Sequence, residues 1–237
     1  MSSSVVFPGP YGWLMAGHAG QARTAAAAAR RAFWRHFGLI DDDAATEVGP
    51  AFAGGPRWPS IRHGWVIIRR PGSVIVASDG LSDPDAERPE YRTGHDGELF
   101  VEIADRNSID LPAAVLAATP AVQALRQVAD AMVEQDRSIA DRHRRWGLHT
   151  MSVTVSALPQ RWQGPDGTLG VLIGKRSPEL PIELELPAGT VRIAALTPMT
   201  PAETAAVLLD WEGRARGAAA AAMDRSGSGH LFDLERR

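Results

Sequence analysis

Two adjacent runs, His63–Arg70 and Ser73–Ser78, constrain the fold of this chain more than any other feature. Both are rich in β-branched residues. Between them lies Arg70-Pro71-Gly72-Ser73, where proline pre-sets φ and glycine accepts a positive φ, so the pair reads as a hairpin. The second run holds Val74, Ile75 and Val76 in succession. Neighbouring residues of a strand point to opposite faces, so consecutive apolar residues describe a central strand covered on both sides.

The rest of the chain supplies that cover. Gln21 to Phe37 reads as a helix that stops at Gly38; its alanines give propensity, and Phe33, Trp34 and Phe37 must do the docking. A second helix opens at Thr119 and Pro120, with Val122, Leu125, Val128, Ala129 and Met132 at three- and four-residue steps, and runs to about Ile139. Thr200-Pro201-Ala202-Glu203 is a capping box opening a helix that carries Val207, Leu208 and Trp211 and extends toward Ala218–Ala222, weakened by Gly213 and Gly217. Further strands are expected at Glu98–Ile103, Thr150–Ala157, Leu169–Ile173, Ile182–Leu186 and Val191–Leu196. Leu99, Val101 and Ile103 share one face; Ile182, Leu184 and Leu186 oppose Glu183 and Glu185, giving that strand a wet face.

Strands and helices mix without strict βαβ alternation. The expected fold is therefore a single α/β domain of the α+β type, with a central mixed, largely antiparallel sheet packed by helices. Its expected limits are residues 20–225. Residues 1–19 read as an irregular arm carrying Trp13 and Leu14, and Asp41–Pro59 as loop. Ser226-Gly227-Ser228-Gly229 reads as a flexible hinge in the 226–237 tail, whose residues from His230 on are either loose or a docking segment.

Composition excludes several classes. The net charge is −3, without the clustered basic surplus that a nucleic-acid binder needs to neutralise phosphates, so no nucleic-acid partner is expected. The clusters Arg30-Arg31 and Arg142-Arg144-Arg145 have acidic neighbours and read as solvated helix faces. Lys175 is the only lysine, because arginine has replaced it elsewhere. With no cysteine, disulfides, thiolate metal sites and cysteine nucleophiles are excluded, which fits a reducing cytosol. No apolar run is long enough to span a bilayer. Met1–Ala22 lacks a basic n-region and is broken by Pro8, Pro10 and Gly12, so a cytoplasmic location is expected rather than secretion.

Candidate chemistry concentrates between the central strand and the next one. Asp79, Asp83, Asp85, His95, Glu98 and Glu102 fall near one another, and carboxylates with one imidazole suit a divalent metal. That pattern supports an alternative reading as a metal-dependent hydrolase using Asp79, Asp83 and Glu98 with His95 as a ligand. The same residue types also serve a plain turn, in which aspartate and serine side chains bond nearby amides and Gly80 takes a positive φ. No metalloprotease helix motif or EF-hand loop is present, so the turn is the favoured reading and neither metal nor cofactor is assigned. No nucleophile elbow or phosphate-binding loop occurs either. His143 and His149 sit near a helix end, where cationic side chains complement exposed carbonyls. Seven tryptophans stand against two tyrosines. Most belong in a core, but Trp58 and Trp162 lie in loops and are candidate interface anchors.

The segment Val74-Ile75-Val76-Ala77-Ser78-Asp79-Gly80-Leu81-Ser82-Asp83-Pro84, followed by Gly97-Glu98-Leu99-Phe100-Val101-Glu102-Ile103, resembles the suppressor-of-fused domain family. That family has a strand ending in a Gly-Leu-Ser-Asp turn, a variable polar loop, then a Gly-x-Glu-Leu strand. Downstream order agrees: Leu111-Pro112-Ala113 leads into a long helix ending near Trp146, a strand pair follows over 170–186, and Val191–Met199 leads to a helix with the early Glu203. The likeness runs from about Ile61 to Arg216. It implies a protein-binding module rather than an enzyme, with Asp79, Gly80, Leu81, Ser82, Asp83, Pro84, Glu98 and Leu99 as the family motif. Animal members clamp a transcription factor's peptide between this domain and a second one. The likeness here covers only the first, so that partner is not carried over. Bacterial members are regarded as immunity proteins that neutralise a co-encoded toxin, which makes a toxin domain the expected partner.

Overall fold

The computed structural model describes residues 10–41, 46–48, 58–59, 62–85, 92–135, 141, 143, 145, 147–210 and 212–236. Helix α1 (Pro10–Arg35) is followed by short strands β1 (Leu39–Ile40) and β2 (Thr46–Val48), then β3 (Arg62–Arg70), β4 (Ser73–Asp79) and β5 (Gly97–Ile103). Helices α2 (Arg106–Ile109), α3 (Ala113–Ala117) and α4 (Pro120–Glu134) come next, then β6 (His149–Val153), β7 (Leu169–Lys175), β8 (Glu183–Leu186) and β9 (Gly189–Met199). Helices α5 (Pro201–Leu209) and α6 (Arg214–Arg225) follow.

Among the described residues one nine-stranded sheet runs in the order β1-β3-β4-β5-β9-β7-β6, with β2 also on β3 and β8 also on β9. Among the described residues the only parallel pair is β5 with β9. The expected mixed, largely antiparallel sheet packed by helices is the observed architecture, and β4 is the central, doubly covered strand that its sequence required. Val74 and Val76 face α4 with Leu99, Val101 and Ile103 of β5. Ile75 and Ala77 face the other way, where Trp34 of α1 packs with Ile68, Phe100, Leu184 and Leu186. Beyond α1 that second face is covered at Leu172 and Met199 by Met223 of α6. No helix among the described residues is long and apolar enough to cross a membrane.

Several boundaries differ from expectation for identifiable reasons. Residues 10–19 of the expected irregular arm continue α1 instead; residues 1–9 lie outside the described set. The expected loop 41–59 contains β2, which pairs with the first residues of β3. Helix α4 ends at Glu134, and residues 136–140 lie outside the described set. Thr119 occupies its N-cap position, but its hydroxyl donates to the Leu116 carbonyl rather than accepting from the helix. The strand expected to reach Ala157 stops at Val153. There Gln127 and Gln123 of α4 accept the Thr154 and Ser156 amides at 2.9 and 2.7 Å, so glutamine side chains take the place of a neighbouring strand. The capping box at Thr200 and Glu203 is formed, and the helix after it breaks before Gly213, whose φ is +79°. Trp211 lies outside the described residues.

Of the two readings of the tail, the docking segment is the one observed, and the flexible hinge before it is not. Gly227, with φ +77°, terminates α6 in the left-handed conformation that glycine accepts without strain, so it is a helix stop rather than a hinge. The Phe232 amide then donates to the Glu102 carbonyl at 2.7 Å, continuing from the end of β5, while the Phe232 ring joins the α4-side core. His230 is buried, and Arg236 holds Glu203.

Candidate functional site

Ala26, Arg30 and Trp34 stand four residues apart on α1 and therefore share one face. That face is pressed onto the sheet, with Ala26 and Trp34 inside the core. Arg30 goes in with them and is 1% exposed. A buried guanidinium is costly unless paired and hydrogen-bonded. The pairing comes from the turn after β4. Arg30 Nε donates to Asp79 Oδ1 at 2.5 Å, Nη1 to Ser82 Oγ at 3.1 Å and Nη2 to Asp83 Oδ1 at 2.7 Å.

Glu98 completes the cluster from β5. It is 0% exposed, and its Oε1 lies 3.5 Å from Arg30 Nε. The same oxygen accepts the Gly80 amide at 3.2 Å, the Ser82 amide at 3.0 Å and the Ser82 hydroxyl at 2.5 Å. Its other oxygen accepts the Ser78 hydroxyl, and Ser78 Oγ accepts the Leu99 amide at 2.9 Å. Gly80, at φ +143°, brings its own amide and that of Ser82 to one carboxylate. Leu81 is anchored in the α4-side core. The Pro84 and Pro59 carbonyls accept from Arg23, two turns further up α1.

Electrostatics follow from burial. Desolvation opposes the charge on Arg30, but Glu98, Asp79 and Asp83 outweigh it and hold the guanidinium more firmly protonated than usual. Burial pushes Glu98 above the ordinary carboxylate range, with Arg30, Ser78 and Ser82 opposing the rise. Burial raises Asp83 too, again against Arg30.

The structure thus brings together Asp79, Gly80, Ser82, Asp83, Glu98 and Leu99, with Leu81 and Pro84 anchored beside them. It corrects the self-bonded turn. The turn's polar groups bind Glu98 and Arg30, and through them lock the hairpin, β5 and α1 to one another. Arg30 is likewise not on a solvated face; Arg31, its neighbour, is exposed. Arg142 and Arg144 lie outside the described residues. The usable signal for Arg30 was its phase with Ala26 and Trp34.

The metal reading finds no matching geometry. Arg30 is the cation among Asp79, Asp83 and Glu98, and no group of three His, Asp or Glu among the described residues is arranged to hold a metal ion. His95 is buried, its amide bound to the Leu81 carbonyl at 2.8 Å. Glu102 sits at the far end of β5. There its carboxylate takes Ser73 Oγ at 2.6 Å, Arg70 Nη1 at 2.7 Å and His230 Nε2 at 2.7 Å. Burial favours the neutral acid at Glu102, but those partners prevail and hold its carboxyl below the usual range.

Neither proposed interface tryptophan is at the surface. Trp58 is buried edge-on to Trp65 and donates to Asp130 Oδ1 at 3.1 Å. Trp162 is buried under the tail, donating to the Leu234 carbonyl at 2.7 Å with the Arg236 guanidinium 5.5 Å from its ring centre. Loop position misled here, because a short 3-10 turn at Gln160–Trp162 points the ring inward. In comparisons with known proteins, no protein-family model matches the chain and no curated protein sequence matches it.

Proposed function

We propose that this chain is a protein-binding module of the suppressor-of-fused type, acting in the cytoplasm as an immunity protein that occludes a co-encoded toxin domain. The motif supports the binding half of that reading, since its polar groups are spent on one another and on Arg30 inside the protein. Function then belongs to a surface. The observation that carries the reading is the patch formed by Leu208 and Leu209, 74% and 84% exposed at the end of α5. Two adjacent leucines in water are an apolar contact waiting for a partner. Leu208 lines one small pocket with Thr150, Met151 and Ser152 of β6, the last strand in the sheet order, which pairs only with β7 among the described residues. A strand at the end of the described sheet order, next to an apolar patch, suits addition of a partner strand.

The test is co-expression with the product of the adjacent gene, followed by co-purification and mixing of the separately purified proteins. A stable complex is expected, weakened at least tenfold by the double variant Leu208→Asp/Leu209→Asp at unchanged Tm. An adjacent product that is not a toxin, or that forms no complex, sinks the immunity role. A complex indifferent to the double variant moves the interface elsewhere.

A further inference from the structure

The only lysine of the chain occupies an unusual place. Between Ile173 and Lys175 the β7–β9 register shifts, and Gly174 takes φ +94°. Such a bulge re-aims the side chains around it. Lys175 is thereby set into the wall of an open cavity of about 810 Å³, between the β3–β4 turn, the loop after β7 and the segment after α6. Arg70, Ser73, Glu102, Arg176 and His230 line the same cavity. Its volume lies in the range of small-molecule sites.

The charges are not equally committed. Glu102 is fully engaged by Arg70, Ser73 and His230. The remaining partners are loose. Lys175, 8% exposed, meets Asp224 Oδ1 at 2.7 Å, but Asp224 is 65% exposed; the second amino group of Arg70 meets Glu179, which is 64% exposed. Exposed carboxylates return to water at little cost, since surface ion pairs are weak. A buried lysine held by one exposed, replaceable carboxylate, a part-buried Arg70 whose second amino group meets another, and Arg176 on the rim form a site in which a dianion would replace exposed carboxylates.

We propose that this cavity binds a small molecule bearing a phosphate group, which displaces Asp224 from Lys175 and Glu179 from Arg70. The site is independent of the protein-binding patch. Lysine serves as a compact point charge and Arg70 as a planar donor, a combination suited to phosphate.

The test uses the full chain, with inorganic phosphate and O-phosphoserine as probes. Calorimetric titration and thermal shift are run against sodium chloride at matched ionic strength. Saturable binding is expected, with a rise in Tm that follows ligand concentration. Equal binding of both probes assigns recognition to the phosphate alone; tighter O-phosphoserine binding shows that the rest of the cavity contributes. Lys175→Met should weaken binding at least about tenfold, the loss of one charge-assisted bond. Asp224→Asn, at an exposed position, should tighten it about two- to fivefold by removing the competitor. Arg176→Ala should weaken it without changing the ligand-free Tm. The proposal is overturned if neither probe exceeds the chloride control, or if Lys175→Met binds as wild type. Should Lys175→Met fail to fold, Asp224→Asn decides: unchanged or weaker binding overturns the displacement.

Discussion

Arg30 Nε stands 3.5 Å from Glu98 Oε1, with neither side chain open to solvent, so the first helix and a central strand share one buried ion cluster. Removing the guanidinium leaves Asp79, Asp83 and Glu98 facing one another without a cation. Losing one partner of a buried pair costs about 3–5 kcal/mol. Arg30→Met, which keeps most of the volume, should therefore destabilise the protein by about that much in urea unfolding. A loss below about 1 kcal/mol would show that water reaches the cluster and that the pairing is superficial.

Glu98 makes a prediction about pH. Its folded-state pKa is raised above the ordinary 4.5 by burial, so the native state holds that proton more tightly than the unfolded chain. The associated stability is fully present below pH 4.5 and is lost as pH rises through the higher folded value. Glu98→Gln keeps the shape but removes the ionisation. Relative to wild type it should gain stability progressively as pH climbs above 4.5, and a residual slope should remain because Asp83 is raised in the same sense. Urea melts from pH 4 to 8 measure this. A constant difference across that range contradicts the account.

The segment after α6 is held as part of the core. Phe232 lies in the α4-side cluster, and its amide is bound to the end of β5. Phe232→Ala should cost about 3–5 kcal/mol, the usual penalty for emptying a buried aromatic site. A solvated tail would predict a change within about 0.5 kcal/mol. Limited proteolysis separates the two outcomes as well, since only a loosened tail would be trimmed before the domain unfolds.

The fold was legible where one residue type decides one feature. Val74-Ile75-Val76 demanded cover on two faces, and Thr200 with Glu203 announced a helix start; both are local statements of periodicity and hydrogen bonding. The ion cluster was legible only in part. Asp79, Asp83 and Glu98 stood out as carboxylates near one another, but their cation comes from a helix far off in the chain, and charge looks solvated until phase with Ala26 and Trp34 is considered. The hinge before the tail was misread because Gly227 and Gly229 resemble a linker in composition, whereas a positive φ after a helix is a stop. Trp58 and Trp162 failed for a related reason: a loop says where the backbone runs, not which way an indole turns.

Glu203 links the capping box to the tail, and the two roles are separable. Its Oε2 accepts the Thr200 amide at 2.7 Å, and Arg236 Nη2 donates to the same oxygen at 2.6 Å, with Nη1 at 2.8 Å from Oε1. Burial opposes the charge on Glu203, but Arg236 and Thr200 outweigh it and hold the carboxyl below its ordinary value. Stability from this group is therefore present above the ordinary carboxylate range and is lost as pH falls through the depressed folded value. Glu203→Gln should retain most of the cap, which needs only an acceptor, while losing the ion pair. Glu203→Ala should lose both, adding about 1 kcal/mol for the cap. A double-mutant cycle with Arg236→Met isolates the pair and should return a coupling of about 0.5–3 kcal/mol. That coupling should shrink as pH falls through the depressed folded value, where Glu203 gains its proton in the native state as well as the unfolded one. A coupling of zero at neutral pH would mean that Arg236 is held by the Pro198 carbonyl and by its stacking on Trp162, so that the ion pair contributes nothing to anchoring the tail.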